Sequence, residues 1–154
     1  MSRALRRAVA PVLAAVALAV AATVPRDVAT ALERVRDQST LDITTVGRKS
    51  GRRHTKPIWF VVDDGRIVVQ AGKSGKTDWY RNLRKDPSVV VRTGGYTFQT
   101  TAVPVTDPKR VEAIHRLFLQ KYTSAWLLSF FGSSIGRGLP VELVPESVTP
   151  PSGE

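Results

Sequence analysis

The strongest restriction on the fold comes from short β-branched runs that are joined by tight turns. Ile58–Val62 and Arg66–Gln70 flank Asp63-Asp64-Gly65, and an Asp-Gly pair tolerates the positive φ that a hairpin turn needs. This connection is too short for the crossover helix that a parallel pair of strands requires. The sequence therefore favours an antiparallel sheet and argues against a doubly wound parallel one.

Six runs of this kind predict a mainly β (α+β) fold. Short antiparallel strands with few helices are typical of a small closed barrel, because closure leaves no unpaired sheet edge. A chain of 154 residues has room for one such domain. The predicted strands are Leu41–Val46, Ile58–Val62, Arg66–Gln70, Ser88–Arg92, Tyr96–Val105 and Leu139–Val144.

Helical periodicity accounts for the segments outside these strands. It predicts an amphipathic helix over Arg26–Gln38, a short helix over Trp79–Lys85 that Asp78 can cap, and a longer helix over Lys109–Tyr122. The apolar run Trp126–Phe131 is expected to add one more helical turn.

Residues 1–25 form an apolar segment ahead of the predicted domain. Three arginines precede residues 8–24, a run without a charged side chain. This pattern is typical of a signal peptide and also of a short membrane anchor, and both interpretations stay open. We therefore expect four parts: this segment, a linker helix within residues 26–40, a barrel domain over residues 41–145 and a flexible tail over residues 146–154.

The segment Gly47–Lys85 is strongly basic. It contains eleven Lys or Arg against three Asp, whereas the whole chain has a formal charge of +10. Such a cluster repels itself unless an anion binds to it, although a solvated basic surface is the alternative interpretation. Nucleic acid is an unlikely partner, because the aromatic residues here adjoin strands and glycine turns, where core positions are common. With no cysteine and two distant histidines, no metal site is expected.

The loop Gly47–Arg53 has the composition of an anion site. Its glycines let several backbone amides point at one anion, and Ser50 adds a hydroxyl donor. Arg48 offers a planar fork for phosphate oxygens, and Lys49 adds a mobile positive charge.

A second loop, Gly72–Thr77, resembles a phosphate-binding P-loop. It lacks the first glycine of that motif, because Gln70 occupies the position five residues before Gly75. Nucleotide hydrolysis is therefore not expected. The amides of the loop, Lys73 and the start of the following helix still favour an anion.

Four segments occur in the order and with the spacing of a known enzyme family. They are Thr45–Gly51, Lys56–Phe60, Ala71–Gly75, and Asp78–Leu83 before Asp86-Pro87. Together they resemble the deazaflavin (F420H2)-dependent nitroreductase and quinone reductase family. The resemblance implies a split β-barrel related to the FMN-binding, pyridoxamine-phosphate-oxidase-like superfamily, with coenzyme F420 as the cofactor.

The resemblance also implies roles for individual residues. The coenzyme's phosphate and glutamyl tail would contact Arg48, Lys49, Ser50, Gly51 and Lys73. The deazaflavin ring would lie along Pro57, Ile58, Trp59, Ala71 and Gly72, and the short helix would close the pocket with Trp79, Tyr80 and Asn82. The same segments supply Lys56, Ser74 and Gly75 as further cofactor-binding residues.

The sequence departs from the nitroreductase pattern near the substrate. Trp59 replaces a tyrosine, and an indole cannot donate a proton as a phenol does. Ala125 and Leu128 likewise remove two hydroxyls, which leaves Tyr122 and His115 as proton-donor candidates, with Tyr122 predicted as catalytic.

The expected function is therefore hydride transfer from F420H2 to an apolar, quinone-like substrate. An FMN-dependent oxidoreductase of the same fold, or a non-catalytic carrier of a coenzyme or of haem, would fit the same residues. We expect attachment to a membrane surface through residues 8–24, on the cytoplasmic face because the coenzyme is normally reduced in the cytosol. An exported form and a homodimer are left open.

Overall fold

The computed structural model describes residues 26–122 and 138–152. In this part of the chain, six antiparallel strands close into a barrel in the order β1-β2-β3-β6-β5-β4. The strands are β1 (Thr40–Val46), β2 (Arg53–Asp63), β3 (Arg66–Ala71), β4 (Ser88–Thr93), β5 (Tyr96–Pro104) and β6 (Leu139–Thr149), and the helices are α1 (Arg26–Val35), α2 (Asp78–Lys85) and α3 (Pro108–Lys121). The mainly β split-barrel prediction is confirmed.

The predicted β2–β3 hairpin forms where its turn residues indicated, and a second hairpin joins β4 to β5. Asp64 and Gly65 have φ angles of 49° and 68°, and Asp63 pairs with Arg66 across the turn. Gly94 and Gly95 have φ angles of 55° and 82° between β4 and β5. Local backbone preference therefore determines both turns, because glycine adopts positive φ at little steric cost.

The interior of the barrel is filled from the strands and from α1. Val28, Leu32 and Val35, the predicted apolar face of α1, are almost completely buried in one cluster with Phe60 and Phe98. The helix lies at the end of the barrel that carries the β4–β5 turn, where a Cβ atom at position 94 would approach Val35. Thus α1, predicted as a linker, contributes to the core, and burial of each such side chain is worth about 1.5–3 kcal/mol.

Two strand boundaries differ from the predictions. β2 begins at Arg53, within the segment that was predicted to be a loop, because its exposed first residues pair with β1 as far as Val46. β6 continues to Thr149, so the predicted end at Val144 was wrong, and residues 146–149 of the expected tail are in the strand. These residues pair with β5 beyond a bulge at Gln99 and Thr100.

Two predicted segments lie outside the described residues: the apolar segment 1–25 and the helical turn Trp126–Phe131. Within the described ranges, the helices are all too short or too polar to cross a membrane.

Candidate functional site

A cavity of about 630 Å³ opens where the β1–β2 loop, the first half of β2 and the segment leading into α2 meet. These elements lie at the end of the barrel opposite α1, because β1 ends there at Val46 and β3 ends there at Ala71. The lining residues are Gly47, Arg48, Lys49, Ser50, His54, Lys56, Pro57, Ile58, Lys73, Lys76, Thr77, Asp78, Trp79 and Asn82.

One face of β2 supplies the wall of the cavity. Alternate residues of a strand share a face, so His54, Lys56 and Ile58 lie in one row with Phe60. Phe60 is buried in the barrel core, Ile58 packs against that core, and Lys56 and His54 are exposed. The wall therefore changes from apolar near the barrel to polar and basic at the mouth of the cavity.

Asn82 holds the β1–β2 loop against α2. This buried amide, 3% exposed, accepts hydrogen bonds at Oδ1 from the Arg48 backbone N–H and guanidinium, both at 3.1 Å. Its Nδ2 donates to Thr45 Oγ1 at 3.2 Å. Lys85 Nζ donates to the Arg48 carbonyl at 2.8 Å, and Arg48 Nη1 donates to Asp78 at 3.0 Å. Arg48, expected to contact the phosphate, therefore also binds the loop to the helix.

We expect Asn82→Ala to lower the free energy of unfolding by about 2–3 kcal/mol, because buried partners of the lost amide would remain unsatisfied. Chemical denaturation monitored by circular dichroism would measure this change. Gln120→Ala, which removes an exposed amide from α3, is the matched control and should change stability by less than about 0.5 kcal/mol. Equal stability of the two variants would contradict the role of Asn82.

The Lys73–Gly75 turn that follows β3 has an unusual backbone. Lys73, Ser74 and Gly75 have consecutive φ angles of 52°, 53° and 74°, in the left-handed region. The turn is closed by hydrogen bonds from Gly75 N to Gly72 O and from Lys76 N to Lys73 O, both 3.1 Å long. Residues other than glycine adopt this conformation at a cost of about 1–3 kcal/mol each, and such strain is concentrated at functional sites.

The cavity is strongly basic. Four lysines line it, and among the described residues none of their ammonium groups has a hydrogen bond or an ion pair; they are Lys49, Lys56, Lys73 and Lys76. Asp78 is the carboxylate among the lining residues, and it pairs with Arg48. The remaining positive charge favours an anionic ligand.

Nine of the predicted cofactor-binding residues line this cavity: Arg48, Lys49, Ser50, Lys56, Pro57, Ile58, Lys73, Trp79 and Asn82. The cavity wall does not include Gly51, Trp59, Ala71, Gly72, Ser74, Gly75 or Tyr80. Five lining residues were not predicted as site residues: Gly47, His54, Lys76, Thr77 and Asp78. His54 could have been identified by its alternation with Lys56, had the strand been recognised to begin at Arg53.

The side chain of Trp59 lies on the face of β2 opposite the cavity, and Tyr122, at the end of α3, packs against it there. Their rings stack with centroids 4.8 Å apart, and they pack in a second cluster with Val61 and Phe118. The Tyr122 hydroxyl is within 2.7 Å of Phe60 O, accepts from Phe60 N at 3.0 Å, and burial raises its pKa to about 12. The described structure thus brings neither residue to the cavity, and the catalytic role of Tyr122 stays a prediction.

Lys121, which precedes Tyr122 in the chain, and His115, the other proton-donor candidate, also have polar contacts outside the cavity. Lys121 Nζ donates to the carbonyls of Arg36 and Phe60, each at 2.9 Å, and burial lowers its pKa to about 8. His115 Nε2 lies 3.1 Å from the Gly138 carbonyl, and this histidine does not line the cavity.

The fold and the site define a class of protein: a split β-barrel with a basic cavity beside its strand ends. The chain belongs to the F420H(2)-dependent quinone reductase family, whose model matches residues 19–144. The predicted family is thereby confirmed, and the coenzyme that membership implies is F420.

A relative and two solved structures are consistent with this assignment. The proposed F420H(2)-dependent quinone reductase Rv3178 of Mycobacterium tuberculosis (strain ATCC 25618 / H37Rv) is 29% identical over 66 residues, which are 41% of this chain and 56% of that protein. The match therefore spans little more than half of that relative's length.

The structure of an F420-H2 dependent reductase (FDR-A) is 27% identical, with a TM-score of 0.52, and the match covers 70% of this chain and 94% of that one. A proposed pyridoxamine 5'-phosphate oxidase from Listeria innocua is 15% identical, with a TM-score of 0.58 over 79% of this chain and 95% of that one. The second likeness concerns the fold alone.

Proposed function

We propose that the protein is an F420H2-dependent oxidoreductase that transfers a hydride to an apolar, quinone-like acceptor. The observation that carries this proposal is the composition of the cavity wall. Four lysines without ion pairs in the described structure lie beside apolar side chains from β2 and α2 in one cavity. Membership of the quinone reductase family supports the same coenzyme and the same class of acceptor.

The residues present fit the two halves of this coenzyme. Its phosphate and acidic glutamyl tail suit Lys49, Lys56, Lys73 and Lys76, because ammonium groups form charge-assisted hydrogen bonds with such anions. Its flat ring suits the apolar surface of Pro57, Ile58 and Trp79. A volume of about 630 Å³ also lies within the usual range for cofactor sites.

The chain contributes binding, orientation and exclusion of water. The lysines hold the anionic part, and the Asn82 contacts keep the β1–β2 loop at a fixed distance from α2. Ile58 and Trp79 offer surfaces that exclude water from the apolar part of the wall. The hydride is supplied by the reduced coenzyme when it is bound, since that chemistry belongs to the cofactor.

A binding and turnover experiment with the full chain tests the proposal. The protein would be titrated with F420 and, separately, with FMN, and binding would be followed by the fluorescence of each coenzyme. Reduced F420 and menadione would then be mixed with the protein under anaerobic conditions, and oxidised F420 measured by its absorbance. We expect tighter binding of F420 than of FMN, and menadione-dependent oxidation of F420H2.

Each contrary result identifies a different alternative. Preference for FMN would favour an FMN-dependent oxidoreductase of the same fold. Binding of F420 without turnover of any quinone would favour a carrier. Failure to bind either coenzyme would reject coenzyme binding at this cavity.

Attachment to the cytoplasmic face of a membrane through residues 8–24, and assembly into a homodimer, are separate proposals. The apolar run supports the first, because quinone-like substrates partition into membranes. Co-sedimentation of the full chain with lipid vesicles, compared with a variant that lacks residues 1–25, would test it.

A further inference from the structure

His54 is a cavity residue with no assigned role. It lies on β2, two residues before Lys56, and its exposed side chain lines the cavity. A Cβ atom at position 47 would be 2.9 Å from His54 Nε2 and 2.7 Å from the Ser50 hydroxyl oxygen. Imidazole and hydroxyl therefore flank the same glycine of the β1–β2 loop, an approach that a larger residue than Gly47 would obstruct.

The imidazole has positively charged surroundings. The charged groups that line the cavity with it are Lys56 on its own strand, Arg48 and Lys49 on the β1–β2 loop, Lys73 and Lys76 on the segment leading into α2, and Asp78 at the start of α2. The carboxylate of Asp78 pairs with Arg48, and the imidazole has no hydrogen bond or ion pair within the described residues. No carboxylate of the cavity is therefore bonded to His54.

These surroundings couple protonation to ligand binding. An imidazole is the side chain that ordinarily changes charge between about pH 5 and 8, whereas lysines and carboxylates keep their charges over this range. An anion bound beside an imidazole favours its protonated form. A ligand that brings an anionic oxygen next to Gly47 and Ser50 should therefore favour proton uptake at His54.

We propose that His54 takes up a proton as it contacts an anionic group of the coenzyme, so that affinity for the coenzyme increases as the pH falls. This inference rests on the proposed function, and adds to it a residue that makes binding depend on pH. The sign follows from the charge: the protonated imidazole donates a charge-assisted hydrogen bond to the anion, and this contribution is lost as the pH rises and the neutral imidazole predominates.

The test is a titration of the full chain with oxidised F420 between pH 5.5 and 8.5 at constant ionic strength, followed by coenzyme fluorescence. We expect the dissociation constant to rise about 3- to 10-fold across this range. The change in binding free energy that this represents lies between the contribution of an exposed ion pair and that of a charge-assisted hydrogen bond. His54→Gln should remove most of this pH dependence and should bind at high pH about as well as the wild type. His115→Gln changes the one other histidine, which does not line the cavity, and should keep the full dependence.

Calorimetry near neutral pH in two buffers of different ionisation enthalpy gives an independent readout. Net proton uptake should accompany binding to the wild type and should fall in His54→Gln. A wild type whose affinity is independent of pH, or a His54→Gln variant that keeps the wild-type dependence, would overturn the inference while leaving the proposed function intact. Absence of F420 binding at every pH would overturn both.

Discussion

Glu142→Ala is expected to lower the free energy of unfolding by about 2–4 kcal/mol, because it removes the shared acceptor of a largely buried ion network. Glu142 is 4% exposed, and it accepts from Arg66 and, at 2.7 Å, from Arg110 Nε. Arg110 also donates to Asp63 at 2.7 Å. The network therefore joins α3 and β6 to the β2–β3 hairpin.

The expected loss of unfolding free energy lies slightly below the range that is usual when one partner of a buried ion pair is removed. The side chains of Arg66 and Arg110 are partly exposed, so water can solvate part of the charge that Glu142 leaves behind. Arg110 keeps Asp63 as a partner. Burial by itself would lower the pKa of the Arg110 guanidinium, but its hydrogen bonds to Asp63 and Glu142 outweigh burial and raise that pKa. The expected loss of stability therefore comes mainly from the contacts that Arg66 and Arg110 make with Glu142.

Urea denaturation of the wild type and variants would measure this effect. Glu112→Ala is the matched control: it removes a carboxylate from an exposed pair with Arg116 on α3 and should change stability by less than about 0.5 kcal/mol. Glu142→Gln tests whether the charge itself matters, because the amide keeps one acceptor at similar volume. If Glu142→Ala were as stable as Glu112→Ala, the network would contribute nothing measurable to the fold.

The sequence predicted the parts of the fold that depend on local preferences. Asp64 and Gly65 determine a turn, and the neighbouring apolar runs determine the strands beside it. The first half of β2 could not be predicted in this way. Its exposed residues show no apolar alternation, and they are extended because β1 pairs with them from Thr40 to Val46. The same long-range cause extends β6 through pairing with β5.

This boundary also explains what was missed in the candidate site. With β2 taken to begin at Ile58, His54 belonged to a loop and had no predicted face. Once the strand begins at Arg53, alternation brings His54 into the row of Lys56 and Ile58. Tyr122 illustrates the converse: its helix was predicted, but the face of β2 that it contacts depends on how α3 packs, which local patterns do not encode.

Replacing both Lys49 and Lys73 with alanine is expected to weaken F420 binding by about 1–3 kcal/mol for each charge-assisted hydrogen bond that is lost. The two lysines approach the cavity from different loops, one after β1 and one after β3, and within the described residues neither has an ion pair. Removal of the two side chains would therefore leave no polar group of the described structure without a hydrogen-bond partner. The stability of the fold should change little, while the affinity for F420 falls.

Fluorescence titration at low and at high salt would measure how much of the affinity for F420 comes from exposed charges. Wild-type affinity should decrease as salt is added, because ions screen exposed charges, and the double variant should show a weaker dependence. Lys109→Ala, an exposed lysine on α3 outside the cavity, controls for the general loss of positive charge and should bind nearly as the wild type does. Equal affinity of the wild type and the double variant would mean that the basic cluster is a solvated surface, and coenzyme binding would then have to depend on other residues.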